Sequence, residues 1–119
     1  MAGEESTHLE FSVRVAERAG GGTEVTIFGE LDIASAPQLR SALERAVDAD
    51  GEVELDMRAC SFIDSTGIAV VVRAARSLSE DGRTLRIKGV RDRVRGILEL
   101  AGLLSSSWVV IEPERGASN

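Results

Sequence analysis

Apolar and polar positions alternate along the first part of this chain, then change period, and each change marks a new element. Phe11, Val13 and Val15 alternate with Ser12 and Arg14, the two-residue repeat of a strand with one buried face. Ala19 to Gly22 interrupt the pattern and Val25 and Ile27 resume it, which predicts an antiparallel hairpin with a glycine-rich turn. After Gly29-Glu30-Leu31-Asp32, Leu39, Leu43, Ala46 and Val47 fall on one face of a helix. Ser35 with Gln38 reads as a capping box, and Pro37 falls in the first turn, where its missing N–H costs nothing. Val53, Leu55 and Met57 alternate with Glu54 and Asp56 in a third strand. A second helix turns Ile68, Val71, Val72, Ala75 and Leu78 inward and Arg73 and Arg76 to water, and stops near Asp81-Gly82. Leu85 and Ile87 mark a fourth strand. Val94, Ile97, Leu98 and Ala101 mark a third helix ended by Gly102, and 108–111 reads as a short last strand.

Strands separated by helices pair in parallel through right-handed crossovers. Strands three and four each carry one polar face, whereas a parallel sheet covered on both sides shows continuous apolar strands. The expected fold is therefore α/β: a small mixed sheet of four to five strands, order β-β-α-β-α-β-α with a closing β at most, helices mainly on one face and the other largely solvated. One domain, 9–112, is expected between polar tails at 1–8 and 113–119.

Composition narrows the function classes. The chain has 119 residues, 43% of them apolar, enough for one core without disulfides or a structural metal. A net charge of −6 argues against nucleic acid or an anionic membrane as partner. One Cys (Cys60) and one His (His8) leave no disulfide framework and no multi-Cys/His metal site, so no cofactor or metal is expected. The polar, acidic start lacks the apolar stretch of a signal peptide, and no apolar run has the length of a membrane span; the expectation is a cytoplasmic protein.

The chemistry concentrates in Ser61-Phe62-Ile63-Asp64-Ser65-Thr66-Gly67, just before the second helix. Spacing alone favours a plain helix cap, because Asp and Ser side chains accept hydrogen bonds from the free N–H groups of a first turn. A catalytic carboxylate needs a second titratable group, and none lies nearby in sequence. Asp-Ser-Thr-Gly also has one residue too many for an aspartic-protease loop. A third reading makes Ser65 a modification site, since a helix N-terminus favours an anion and phosphate adds roughly −1.5 to −2 charge. Elsewhere, Cys60 reads as a small buried hydrophobe. The basic residues between Arg83 and Arg95 read as a solvated face or a docking patch. Gly20 to Gly22 lie in a hairpin turn, a poor place for a phosphate cradle.

These segments resemble the STAS domain, and most closely the bacterial anti-sigma factor antagonists, the group with the sporulation and general-stress antagonists. Gly29-Glu30-Leu31-Asp32, followed by Ala-Pro and a helix, is similar to that family's first motif, and Asp56-Met57 through Phe62-Ile63-Asp64-Ser65-Thr66-Gly67-Ile68 to its central one. The resemblance covers about residues 9–112. It implies that Ser65 is the phosphorylated serine, with Thr66 a less favoured acceptor. Asp64 is then the neighbouring acid, Asp32 lies in a loop near the partner surface, and Gly67 belongs to the same surface. It further implies partner switching by a protein that is not an enzyme. Unphosphorylated, the chain binds an anti-sigma factor that is a serine/threonine kinase and frees a sigma factor; phosphate on Ser65 breaks the complex and a serine phosphatase resets it. The alternative is a constitutive STAS subunit of a transporter or stress-sensing assembly with no phospho-switch. Nucleotide binding is a weaker third reading, because no P-loop is present.

Overall fold

A computed structural model describes residues 11–112; the expected tails, with His8, lie outside them. Strands β1 (Ser12–Glu17), β2 (Thr23–Leu31), β3 (Val53–Ile63), β4 (Leu85–Lys88) and β5 (Val109–Ile111) form one sheet in the order β1-β2-β3-β4-β5. Helices α1 (Ala36–Asp48), α2 (Ser65–Glu80) and α3 (Asp92–Leu100) fill the connections, and a 3₁₀ turn (Leu103–Ser105) precedes β5. β1 pairs antiparallel with β2, and the remaining pairs are parallel. This is the mixed α/β order expected from periodicity.

The hairpin closes as expected. Gly20, Gly21 and Gly22 all have φ near +100°, which L side chains rarely adopt, and Arg18 N–H donates to Gly22 O at 2.9 Å. Apolar residues of β2, β3 and β4 form one core with the inner faces of the three helices, centred on Ile27, Leu39, Leu55, Val71, Ile87 and Leu98. α2 ends in a Schellman motif: Gly82 has φ +75°, Arg83 N–H donates to Leu78 O and Gly82 N–H to Ser79 O.

Four expectations need correction. Ser35 adopts φ −96°, ψ −15° and makes no side-chain cap to α1, so there is no capping box. The inward arc of α2 is rotated: Val70 and Ala74 are buried while Ile68 and Val72 are half-buried, because α1 packs against the Val70–Ala74 side through Leu43 and Val47. The outer sheet face is charged, yet at Glu54 and Asp56 of β3 it is not solvated. Register aligns Glu24 with Glu54 and Glu54 with Arg86, and sets Asp56 beside Lys88. Glu54 and Asp56 are 7% and 6% exposed. Lys88 bridges Glu24 (2.9 Å) and Glu54 (3.3 Å), and Arg58 holds Asp56 at 2.8 Å. Burial pushes the Asp56 carboxyl up, but the hydrogen bonds from Arg58 outweigh it and leave it below its usual range.

The fourth correction concerns the basic cluster, several of whose side chains are engaged within the chain. Arg83 donates to Val47 O, Ala49 O and Gly51 O, satisfying carbonyls at and just beyond the end of α1. Arg86 pairs with Glu112, and Arg91 donates to Arg58 O. Arg93 and Arg95 keep the expected character, with no side-chain bond among the described residues.

Candidate functional site at the start of the second helix

β2 and β3 run on past β4, whose register with β3 stops at Asp56, and their last residues carry the two sequence motifs. Leu31 pairs with Ile63, and Asp64 N–H donates to Leu31 O at 3.1 Å. Gly67 closes the junction. A Cβ there would stand 2.6 Å from Leu31 Cγ and 3.0 Å from Ile63 Cγ1, so the first turn of α2 lies directly on both strand ends. Motifs some thirty residues apart in sequence thus become one corner of the molecule. Gly67 serves packing inside the chain, because it is buried and faces Leu31.

Asp64 is the N-cap of α2. Its backbone is extended (φ −111°, ψ −175°) and its Oδ1 accepts from Gly67 N–H at 3.0 Å. Ser65, the first helical residue, is exposed, and its hydroxyl has no hydrogen-bond partner among the described residues. Thr66 is half-buried. An open groove runs from Ser65 down the outward face of α2 past Ala69 and Val72 to Arg76, whose guanidinium covers the Trp108 ring at 5.6 Å.

Asp32 starts the turn into α1, on the continuation of β2. Its Oδ1 accepts from Ala34 N–H (3.0 Å), Ser35 N–H (3.1 Å) and the Ser35 hydroxyl (3.1 Å). The Ser35 backbone N–H and hydroxyl, with Ala34 N–H, hold the Asp32 carboxyl below the usual carboxylate range. The corner therefore brings Asp32, Asp64, Ser65, Thr66 and Gly67 to one end of the sheet. Three residues of this corner were given no site role in the sequence: Glu30 and Ile33, both exposed, and Phe62, 36% exposed. Ile33 had one signal, an apolar side chain in a polar turn outside any helical or strand period. Cys60 is buried as expected; burial pushes its thiol up, and it donates to Phe62 O at 3.3 Å.

Nothing in the corner resembles an acid–base pair. Among the described residues no group of three or more His, Cys, Asp or Glu is placed to hold a metal ion, and no helix is long and apolar enough to cross a membrane. What the corner offers is a capped helix start with an uncommitted hydroxyl. Compared with known proteins, the chain matches the STAS domain family model over residues 12–114.

The chain belongs to the STAS domain family.

Within it, this STAS domain belongs with the anti-sigma factor antagonists. It is 32% identical over 112 residues to the anti-sigma-B factor antagonist of Listeria monocytogenes, covering 93% of this chain and 96% of that protein. Its fold is similar to that of the anti-sigma factor antagonist SpoIIAA in its unphosphorylated form (TM-score 0.70, 23% identity, 90% of this chain and 93% of that one). It is also similar to an anti-sigma factor antagonist from Mycobacterium paratuberculosis (TM-score 0.74, 22% identity, 85% and 86%). At those identities the structures speak for the fold. The sequence likeness places the chain in its group.

Proposed function

We propose that this protein is an anti-sigma factor antagonist switched by phosphorylation of Ser65. The observation that carries the reading is the state of that hydroxyl: exposed, unbonded and on the first residue of a capped helix. A kinase can reach it without opening the fold. A phosphate there meets the positive end of the α2 dipole, so the modified domain stays folded. The cap from Asp64 to Gly67 N–H makes no use of the Ser65 hydroxyl.

In its unphosphorylated form the chain binds an anti-sigma factor that is a serine kinase, and a sigma factor is released. The chain supplies the acceptor hydroxyl and no catalytic group. The kinase transfers the γ-phosphoryl group of ATP to Ser65 Oγ, leaving ADP, and the hydroxyl proton departs to a base of the kinase. The product carries roughly −1.5 to −2 charge beside Asp64, opposite the nucleotide that donated it. Like charges brought together at an interface cost several kcal/mol, and each 1.4 kcal/mol is about tenfold in affinity. A serine phosphatase removes the phosphate and restores binding. Thr66, half-buried one residue on, is the less accessible acceptor.

Calorimetric titration with the purified host anti-sigma factor tests this. Ser65→Asp is expected to bind on the order of a hundredfold more weakly than Ser65→Ala, which binds as the wild type does but is not phosphorylated. Equal affinities for the two variants would point instead to a constitutive subunit.

A further inference from the structure

Four large apolar side chains are exposed among the described residues, and two of them flank the Ser65 corner. Ile33 is 73% exposed and Phe62 36%, whereas Leu100 and Val110 lie at the end of α3 and on β5. Phe62 and Glu30 are register partners, so they stand side by side on the sheet face turned away from the helices, while the next pair, Leu31 and Ile63, points into the core. Ile33 follows Leu31 by two residues and Ser65 follows Ile63 by two, so each lies within about 7 Å of chain from that pair.

One exposed apolar side chain is ordinary; two in the corner that carries an exposed, unbonded hydroxyl call for an occupant. The fold has no use for Ile33. The turn that carries it is closed by Asp32 and Ser35, through Ser35 Oγ to Glu30 O (2.8 Å) and Asp32 N–H to Ser35 Oγ (2.9 Å). Around the two apolar residues stand three carboxylates, Glu30, Asp32 and Asp64. That rim selects the occupant. A second copy would set the same three carboxylates against themselves across a twofold axis, in a chain of net charge −6. A basic surface with an apolar recess is complementary.

We propose that Ile33 and Phe62 are the apolar anchors of the docking surface, seated in an apolar socket of the anti-sigma factor that is ringed by Lys or Arg. The inference rests on the antagonist reading and adds which residues hold the partner and what chemistry faces them. It also divides the surface. Opposite Ser65 the partner presents its nucleotide, which is negative; the basic ring lies beyond it, over Asp32 and Glu30. Phosphate on Ser65 is therefore repelled by the nucleotide half, and the anchor half is unchanged by it. A buried apolar anchor encircled by polar contacts is the usual arrangement of an interface hot spot.

The test titrates the host's purified anti-sigma factors singly into the full chain with ADP present, in low and high salt, and follows phosphorylation with ATP. Ile33→Ala is expected to weaken binding about tenfold or more, since truncating an anchor typically costs that much. It is expected to raise KM for phosphorylation with kcat unchanged, as loss of uniform binding does, and to leave the unfolding midpoint where it was. Glu30→Lys is expected to weaken binding and flatten its salt dependence.

Ile33→Ala binding within twofold of wild type, while Ser65→Asp is weakened, overturns the anchor and leaves the antagonist reading standing. Weakening by Ile33→Ala with Ser65→Asp unaffected keeps the anchor and removes the switch. Affinity independent of salt overturns the basic ring. Self-association abolished by Ile33→Ala makes a second copy the occupant and overturns the proposal, and binding to no host anti-sigma factor overturns both readings together.

Discussion

Both α1 and α2 begin just after a strand with an aspartate and a serine, and the two starts use those residues in opposite ways. At α2 the aspartate does the capping: Asp64 accepts from Gly67 N–H, and Ser65 is left exposed with an unbonded hydroxyl. At α1 the aspartate folds the preceding turn, and the serine is consumed. Ser35 is 6% exposed, donates to Glu30 O and accepts from Asp32 N–H. Residue type and helix position are nearly the same; reach and commitment differ. A kinase needs a hydroxyl that is both outside and unspent, and of the two starts only the second meets that need. The first start instead fixes the turn that presents Ile33.

Mutations at the two starts separate these roles. The largest stability loss is expected for Ser35→Ala, about 1–3 kcal/mol by urea unfolding, because it leaves the Glu30 carbonyl and Asp32 N–H short of a partner in a half-buried turn. A loss below the error of the measurement would mean that water replaces the hydroxyl. Gly67→Ala is expected to cost about 1–2 kcal/mol net. Helix propensity favours alanine by up to about 1 kcal/mol, but the new Cβ overlaps Leu31, which is fully buried and has nowhere to move. A more stable Gly67→Ala protein would show that the corner is looser than described. Ser65→Ala is expected within about 0.5 kcal/mol of wild type, as for a surface residue with no bond to lose.

The smallest effect is a pH dependence. The Asp32 carboxyl sits below its unfolded value, so its contribution to stability is present above that value and is lost as pH falls through the lower, folded one. Asp32→Asn is expected to remove this part of the acid dependence, read by unfolding midpoints from neutral pH downward. An unchanged acid limb would place the loss in another group.

Much of this was legible in the residues. Period-two and helical spacing located β1 to β4 and the three α-helices, because one face of each is buried against a single core, whereas the 3₁₀ turn before β5 went unread. The Asp64–Gly67 cap follows from residue preference alone. What stayed hidden depends on contacts distant in sequence. Ser35 reads as a cap, yet its own backbone is helical and its hydroxyl turns back to donate to Glu30 O. Val70 and Ala74 become buried only because α1 lies across them. Glu54 and Asp56 alternate like solvated residues, yet the sheet brings Lys88 and the hairpin turn brings Arg18 to Glu54, while Asp56 is held by Arg58 two residues on in its own strand. Arg83 looks like one of a charged run until the fold brings the end of α1 to it. The use of Gly67, likewise, is visible only once Leu31 is beside it.

The most direct test uses the two serines as probe and internal control. The chain is purified from its native host across growth and stress conditions, and phosphate is mapped by peptide mass spectrometry. The account predicts phosphate on Ser65, rising and falling with condition, and none on Ser35. Ser65 unmodified under every condition, or phosphate found on Ser35 or Thr66 while Ser65 stays bare, would contradict it.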